Sequence, residues 1–348
     1  MQKKDLWLFV LILVIGTMTA IRQPLFLSPI NIANTANLVG LFGIFSIGQG
    51  FVIITGGIEL SVGSIIALLG VIFVDFIANK GVAWPLAVLL VLAIGFVMGL
   101  VHGLLITKVK LQPFVVTLCG LLIYRGVARF YTKDATAGFS FGVSFPDLEW
   151  ITSGRTDIVA LLTGGSVHSI LIPHAFFIML VLAVIMWVVL HRSVFGRYLY
   201  AVGKNEEGAR YSGIRTTRVI VAAYIICTTT AALAAIFFAM YTHSILPSGH
   251  GNFYELYAIA AAVLGGFSLR GGEGSIVGVV LGTILLQVLQ NLVNLLGIPS
   301  SLNFAVMGSV ILIGVIADQQ FATFRERREL HRGRMAAGGG STVAEPAE

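Results

Sequence analysis

The sequence predicts an all-α polytopic membrane protein: about ten transmembrane helices, with the N- and C-termini on the cytoplasmic side. Three observations predict this. Of 348 residues, 57% are hydrophobic and 11% charged, where ordinary soluble domains carry roughly 25% charge; the mean hydropathy is +0.94. The apolar residues fall into runs near 5–21, 34–54, 60–79, 84–107, 112–131, 173–191, 219–241, 253–268, 274–296 and 301–317, and a crossing takes about 20 apolar residues. The cations are segregated. If the runs alternate from a cytoplasmic N-terminus, 16 of the 22 Lys and Arg fall in cytoplasmic segments and 4 outside, with Arg125 and Arg129 inside the fifth run. Lys and Arg in short loops hold those loops on the cytoplasmic side. The net charge of +6 therefore reads as topology and not as nucleic-acid binding.

Lys3 and Lys4 precede the first run, and no A-x-A site follows, so the run reads as a retained span and not a cleaved signal peptide. The second run ends in Thr55-Gly56-Gly57-Ile58-Glu59-Leu60-Ser61-Val62-Gly63-Ser64. A charge at the bilayer centre costs about 2.5–3.5 kcal/mol on insertion scales, so Glu59 sits in a turn, a cavity or a protein interface. The flanking glycines allow a broken helix. Gly95 and Gly99 in the fourth run, and Gly274, Gly278 and Gly282 in the ninth, have the G-x-x-x-G spacing that lets helices approach closely. His102, one turn beyond Gly99, reads as a packed polar residue.

Arg125 and Arg129 share one face of the fifth run at i, i+4. They either snorkel to water or line a polar path. Residues 132–172 form the longest outer loop. Its Phe139, Phe141 and Phe145 either cover the bundle or meet a partner.

The loop 191–218 holds Arg192, Arg197, Lys204, Arg210, Arg215 and Arg218. Within it Asn205 caps a short helix with Glu206 and Glu207 in the first turn, and Ser212-Gly213 stops it. This is either a solvated topological loop or a small docking helix. Glu255 opens the eighth run, which leads into a second Gly-rich turn at 265–275, weakly similar to the first. Gln287, Gln290, Asn291 and Asn294 stripe the ninth run, where amides bond other helices or a polyhydroxylated solute. Cys119 and Cys227 are apolar fillers. From Arg325 the tail is charged, then rich in Gly, Ala and Pro, and reads as disordered over 322–348. The permease-like body is 1–321.

No G-x-x-x-x-G-K-[ST] phosphate loop, no H-E-x-x-H and no Cys/His ligand cluster occurs, and no nucleophile with a base is visible inside a span. No catalytic residue, cofactor or metal is implied.

Several stretches carry a resemblance: TGGIELSVGS at 55–64, KLQPFVVTL at 110–118 with YRG at 124–126, VGKNEEGARYSGI at 202–214, YELYAIAAAVLGGFSLRGGEGSIVGVVLG at 254–282 and NLLGI at 294–298. Over about residues 30–320 the chain resembles a sugar permease subunit of a bacterial ABC importer, of the ribose, xylose, arabinose and galactose type, within the branched-chain amino acid permease superfamily. Glu59 stands where the pattern often has Asp, and Tyr257 where a polar residue is common. The resemblance implies a permease homodimer in the inner membrane, two cytoplasmic ATP-binding subunits on separate chains and a periplasmic solute-binding protein. It places the coupling helix at Lys204, Asn205, Glu206, Glu207, Ala209, Arg210, Ser212 and Gly213. The candidates for the translocation path are Glu59, Ser61, Gln112, Arg125, Glu255, Gln287, Asn291 and Asn294. A nucleoside, autoinducer or branched-chain amino acid cargo, a secondary transporter without an ATPase, and a membrane enzyme are the competing readings.

Overall fold

The structure is a computed structural model and describes residues 3–139, 144–157 and 171–299, with isolated positions 302, 305, 306, 308, 309, 312 and 316. Phe141, most of the tenth run at 301–317 and the tail 322–348 lie outside the described residues. Residues 1–303 form one compact unit and 304–348 another; in the second, the described positions are helical.

The first unit is a helical bundle. Its long helices are α1 (Lys3–Arg22), α2 (Pro29–Ile53), α3 (Val62–Val74), α4 (Trp84–Thr107) and α5 (Pro113–Thr132). A short α6 (Pro146–Ser153) follows, then α7 (His174–His191), α8 (Val194–Lys204), α9 (Glu206–Tyr211), α10 (Thr216–Thr242), α11 (Tyr254–Leu264) and α12 (Ile276–Leu295). Among the described residues, eight helices are long and apolar enough to cross a membrane. The chain is a multi-pass membrane protein.

α2 and α10 are the axis. α2 starts at Pro29, whose missing N–H costs nothing at a first helical position, and the Ser28 hydroxyl accepts from Asn31 N at 3.3 Å. From Val39 to Ile53 every residue of α2 is buried. α10 carries Ala231, Ala232, Ala234 and Ala235, all fully buried. Lipid is as apolar as a helix face, so small residues that permit close packing, and not hydrophobic burial, select this neighbour. α4 supplies the complement. A Cβ at Gly95 would lie 2.6 Å from Ala232 Cβ, at Gly99 2.6 Å from Ile225 Cα, and at Gly103 2.6 Å from Val221 Cα. The glycine stripe therefore forms the close contact its spacing predicts, and runs one turn further. In α12, Gly278 and Gly282 abut the Gly265 and Ala261 carbonyls of the preceding segment in the same way.

One expected span differs. The run 60–79 is helical as expected: residues 57–61 have no helical or strand assignment, and from Val62 α3 continues without a gap into a π segment over Asp75–Asn79, so that Val62–Asn79 is one apolar helix of 18 residues. The run 253–268 yields the 11-residue α11, about half a crossing. Glycine explains the difference: Gly265 and Gly266 end the helical pairing of α11, and apolar composition alone does not reveal where a helix stops.

The outer loop folds back on the bundle. Two-residue strands β1 (Ala137–Gly138) and β4 (Ser244–Ile245) pair antiparallel, as do β2 (Arg155–Asp157) and β3 (Leu171–Pro173). Leu148 of α6 is buried, and the Phe139 ring meets those of Phe145 and His243 at 5.9 and 6.1 Å. Phe139 and Phe145 thus cover the bundle.

Candidate functional site

Candidate functional side chains gather at two places. The first is the loop 191–218, which is two helices and not one. Ser193 caps α8, accepting from Gly196 N at 3.0 Å, and Asn205 caps α9, accepting from Gly208 N at 2.8 Å. Arg210 pairs with Glu206 at 2.7 Å, i, i+4. Gly213 closes the motif at φ +84°. α8 is strongly amphipathic and buries Gly196, Leu199 and Val202. It was hidden in the sequence because its apolar residues continue those of the preceding span.

α8 seats on both glycine-rich turns. Gly272, at φ +75°, donates its N–H to the Ile54 carbonyl at 2.8 Å, so the turns after α2 and α11 are joined directly. A Cβ on Gly203 would meet both the Ile54 carbonyl and Gly272. Tyr200 donates to the Gly274 carbonyl at 2.8 Å. Burial pushes the Tyr200 hydroxyl up to about 12, so it stays a donor across physiological pH. α8, which α9 follows directly, thus touches both turns, one ahead of α3 and one after the short α11.

The second place is the N-terminus of α3, inside the bundle. The irregular backbone ahead of it needs partners from protein, because lipid offers none. Gln49 of α2 donates to the Glu59 carbonyl at 3.2 Å, and Tyr224 of α10 and Thr117 of α5 donate to the Ile58 carbonyl at 3.2 and 3.4 Å. The Glu59 carboxylate is fully buried. Its Oε1 accepts from Ser61 N and Oγ at 2.8 and 2.6 Å, and its Oε2 lies 2.7 Å from His102 Nδ1. His102 Nε2 lies 2.9 Å from the Tyr124 hydroxyl. Ser61 is thereby turned away from capping α3 and committed to Glu59.

A second carboxylate takes the vacant side of the same terminus. Glu255, in the first turn of α11, lies against Gly63, whose backbone also abuts Gly251. Arg125 of α5 acts electrostatically on Glu255 and donates to the Pro247 and His250 carbonyls at 2.9 and 2.6 Å. Negative charge is favourable at a helix N-terminus, so two buried acids from different segments converge on α3.

Of the expected path residues, the structure brings together Glu59, Ser61, Arg125 and Glu255. Gln287 is buried, and its side-chain carbonyl has no partner among the described residues. Asn291 exchanges two amide hydrogen bonds with Asn31 of α2, at 3.0 and 2.7 Å. Gln112 and Asn294 are exposed near helix ends. The two arginines part company: Arg125 points into the bundle, while Arg129 forms an exposed bidentate pair with Asp134 at 2.6 and 3.0 Å. Sequence reading missed His102, Tyr124, Gln49 and Tyr224 as a network. The available signal was that a lone buried acid and a lone buried histidine each require a polar partner.

The family model described as branched-chain amino acid transport system / permease component matches residues 31–315. The ribose import permease protein of Bacillus subtilis is 40% identical over 320 residues, covering 92% of this chain and 94% of that protein. The ribose import permease protein of Escherichia coli K12 is 35% identical, with coverage of 92% and 94%. The fructose import permease protein of Rhizobium meliloti is 31% identical, covering 90% and 84%. No solved structure matches the chain.

Proposed function

We propose a function from an established premise: the chain belongs to the family of branched-chain amino acid transport system permease components. It is a transport component and not an enzyme. It is the transmembrane permease subunit of an ATP-driven importer and moves a monosaccharide, a pentose or hexose, from periplasm to cytoplasm by alternating access. Residues 1–321 are the permease body.

One observation carries the reading: the α8–α9 pair rests on two glycine turns, one leading through the irregular residues 57–61 to α3 and the other following the short α11. An ATP-binding subunit on a separate chain docks on α9 through Lys204, Asn205, Glu206, Glu207, Arg210, Ser212 and Gly213, with buried Ala209 supporting it. Closure of the ATP-binding pair moves α8, and the turns pass that motion to α3 and α11. The acids that meet at α3, Glu59 with Ser61 and Glu255 with Arg125, then lie where the path opens, with Gln112, Gln287, Asn291 and Asn294 along it. Two copies of the chain form the path in the inner membrane, and a periplasmic binding protein delivers the solute.

The test is reconstitution of the chain in proteoliposomes with its ATP-binding subunit and binding protein, followed by uptake of labelled sugars, ribose first. ATP-dependent uptake of a monosaccharide is the expected result. Uptake without ATP would put a secondary transporter in its place, and uptake confined to amino acids or nucleosides would overturn the sugar assignment.

A further inference from the structure

The end of the bundle that carries α8 and α9 also holds a groove of about 650 Å³, of whose lining the transport reading uses only Arg210. Lys108, Arg210, Arg215 and Arg218 line it, and among the described residues no acidic one does. Arg210 is occupied by Glu206. Lys108, Arg215 and Arg218 make no ion pair among the described residues. These three cations come from two distant stretches, the residue after α4 and the start of α10.

The wall behind the cations is different. Leu104, Val221 and Ile225 are apolar and belong to the spanning helices themselves. Leu104 also continues an exposed stripe on α4: Val97, Val101 and Leu104 are 53%, 44% and 39% exposed, at the i, i+4, i+7 spacing of one helix face. The groove thus has a cationic mouth at the end of the bundle and an apolar wall that runs into the membrane-facing surface.

This combination selects its occupant. The positive-inside tendency requires cations in the loop but does not require them to converge on one concavity. A free phosphate would use the cations and leave the wall bare. An acidic protein segment would use the mouth and not descend along spanning helices. A second copy would bring the same cations and be repelled. Basic pockets between transmembrane helices suit anionic lipid headgroups, whose acyl chains need an apolar track.

We propose that this groove binds one anionic glycerophospholipid from the leaflet on the coupling-loop side, its phosphate held by Lys108, Arg215 and Arg218 and an acyl chain laid along Leu104, Val221 and Ile225. Because Arg210 and Ile214 also line the groove, the lipid braces α9 from behind. The site depends on the chain spanning a membrane and not on the identity of the cargo.

The experiment is native mass spectrometry of the full chain, released from detergent with phosphatidylglycerol or phosphatidylcholine of the same acyl chains, alongside melting curves with each lipid and with inorganic phosphate. The wild type is expected to retain one phosphatidylglycerol with at least about a tenfold preference, given three cations converging on the headgroup. The triple variant K108Q/R215Q/R218Q is expected to lose that preference, and R155Q to keep it. Equal retention of both lipids by the wild type, or an unchanged preference in the triple variant, overturns the proposal; the wild-type comparison stands even if the variant folds poorly. Equal thermal protection by inorganic phosphate would make the groove a small-anion site. Loss of the co-purifying ATP-binding subunit with lipid retention intact would make it a protein contact. Either result removes the lipid.

Discussion

Glu59 is held by Ser61, two residues on, and by Gln49 of α2 and His102 of α4. Its carboxylate accepts from Ser61 and lies 2.7 Å from His102, both almost wholly buried. Removing one partner of such a buried pair strands the other, which costs about 3–5 kcal/mol when a charge is left uncompensated. His102→Leu is therefore expected to lower the melting temperature strongly, and Glu59→Gln with His102→Leu to recover part of the loss. A double-mutant cycle measured by thermal melting in detergent checks this; strictly additive losses would mean the two side chains do not interact. A similar contrast holds for glycine. Gly99→Leu would drive a side chain into the α10 backbone, where a Cβ on residue 99 would stand only 2.6 Å from Ile225 Cα, and overpacking costs about 1–3 kcal/mol. Among the described residues, nothing beyond its chain neighbours and its own helix backbone lies within 4 Å of a Cβ on Gly126, so Gly126→Ala is expected to be neutral or stabilising, by up to about 1 kcal/mol of helix propensity.

Among the elements, α8 and α9 allow folding to be tested apart from the proposed coupling. Ala209 is 6% exposed, so Ala209→Asp would bury a charge and disturb the helix itself. Arg210→Glu is the cleaner probe, because Arg210 and Glu206 are exposed and their surface pair contributes at most about 1 kcal/mol. Tyr211 is 89% exposed at the end of α9, and exposed aromatic anchors often dominate an interface. Arg210→Glu and Tyr211→Ala are each expected to leave the melting temperature nearly unchanged while reducing ATP-dependent uptake at least about tenfold, the effect of losing one 1.4 kcal/mol anchor. Normal uptake by both variants would remove α9 from the docking role. The caps on α9 were legible, since Asn205 with two following glutamates is a local signature. The seat beneath it was not, because it depends on residues 54 and 272 meeting across the fold.

For the bundle taken together, the cation bias predicts which end faces the cytoplasm, and the structure gives reporters at both ends. In a Cys119→Ser, Cys227→Ser background, Tyr211→Cys is expected to react with a membrane-impermeant maleimide only in opened cells, and Lys80→Cys in intact ones. Reaction of both in intact cells would reverse or break the assigned orientation. The membrane class, the family, the caps of α9 and the glycine contacts of α4 could all be read before any fold was known, because hydropathy, spacing and local hydrogen bonding depend only on near neighbours along the chain. Three features waited for the folded bundle: the run at 253–268 yields only the short α11, Glu59 meets His102 and through it Tyr124, and Arg125 turns inward while Arg129 turns out. A polar group inside a membrane protein must find its partner within the protein, and which helix supplies that partner is settled by packing between segments remote in sequence.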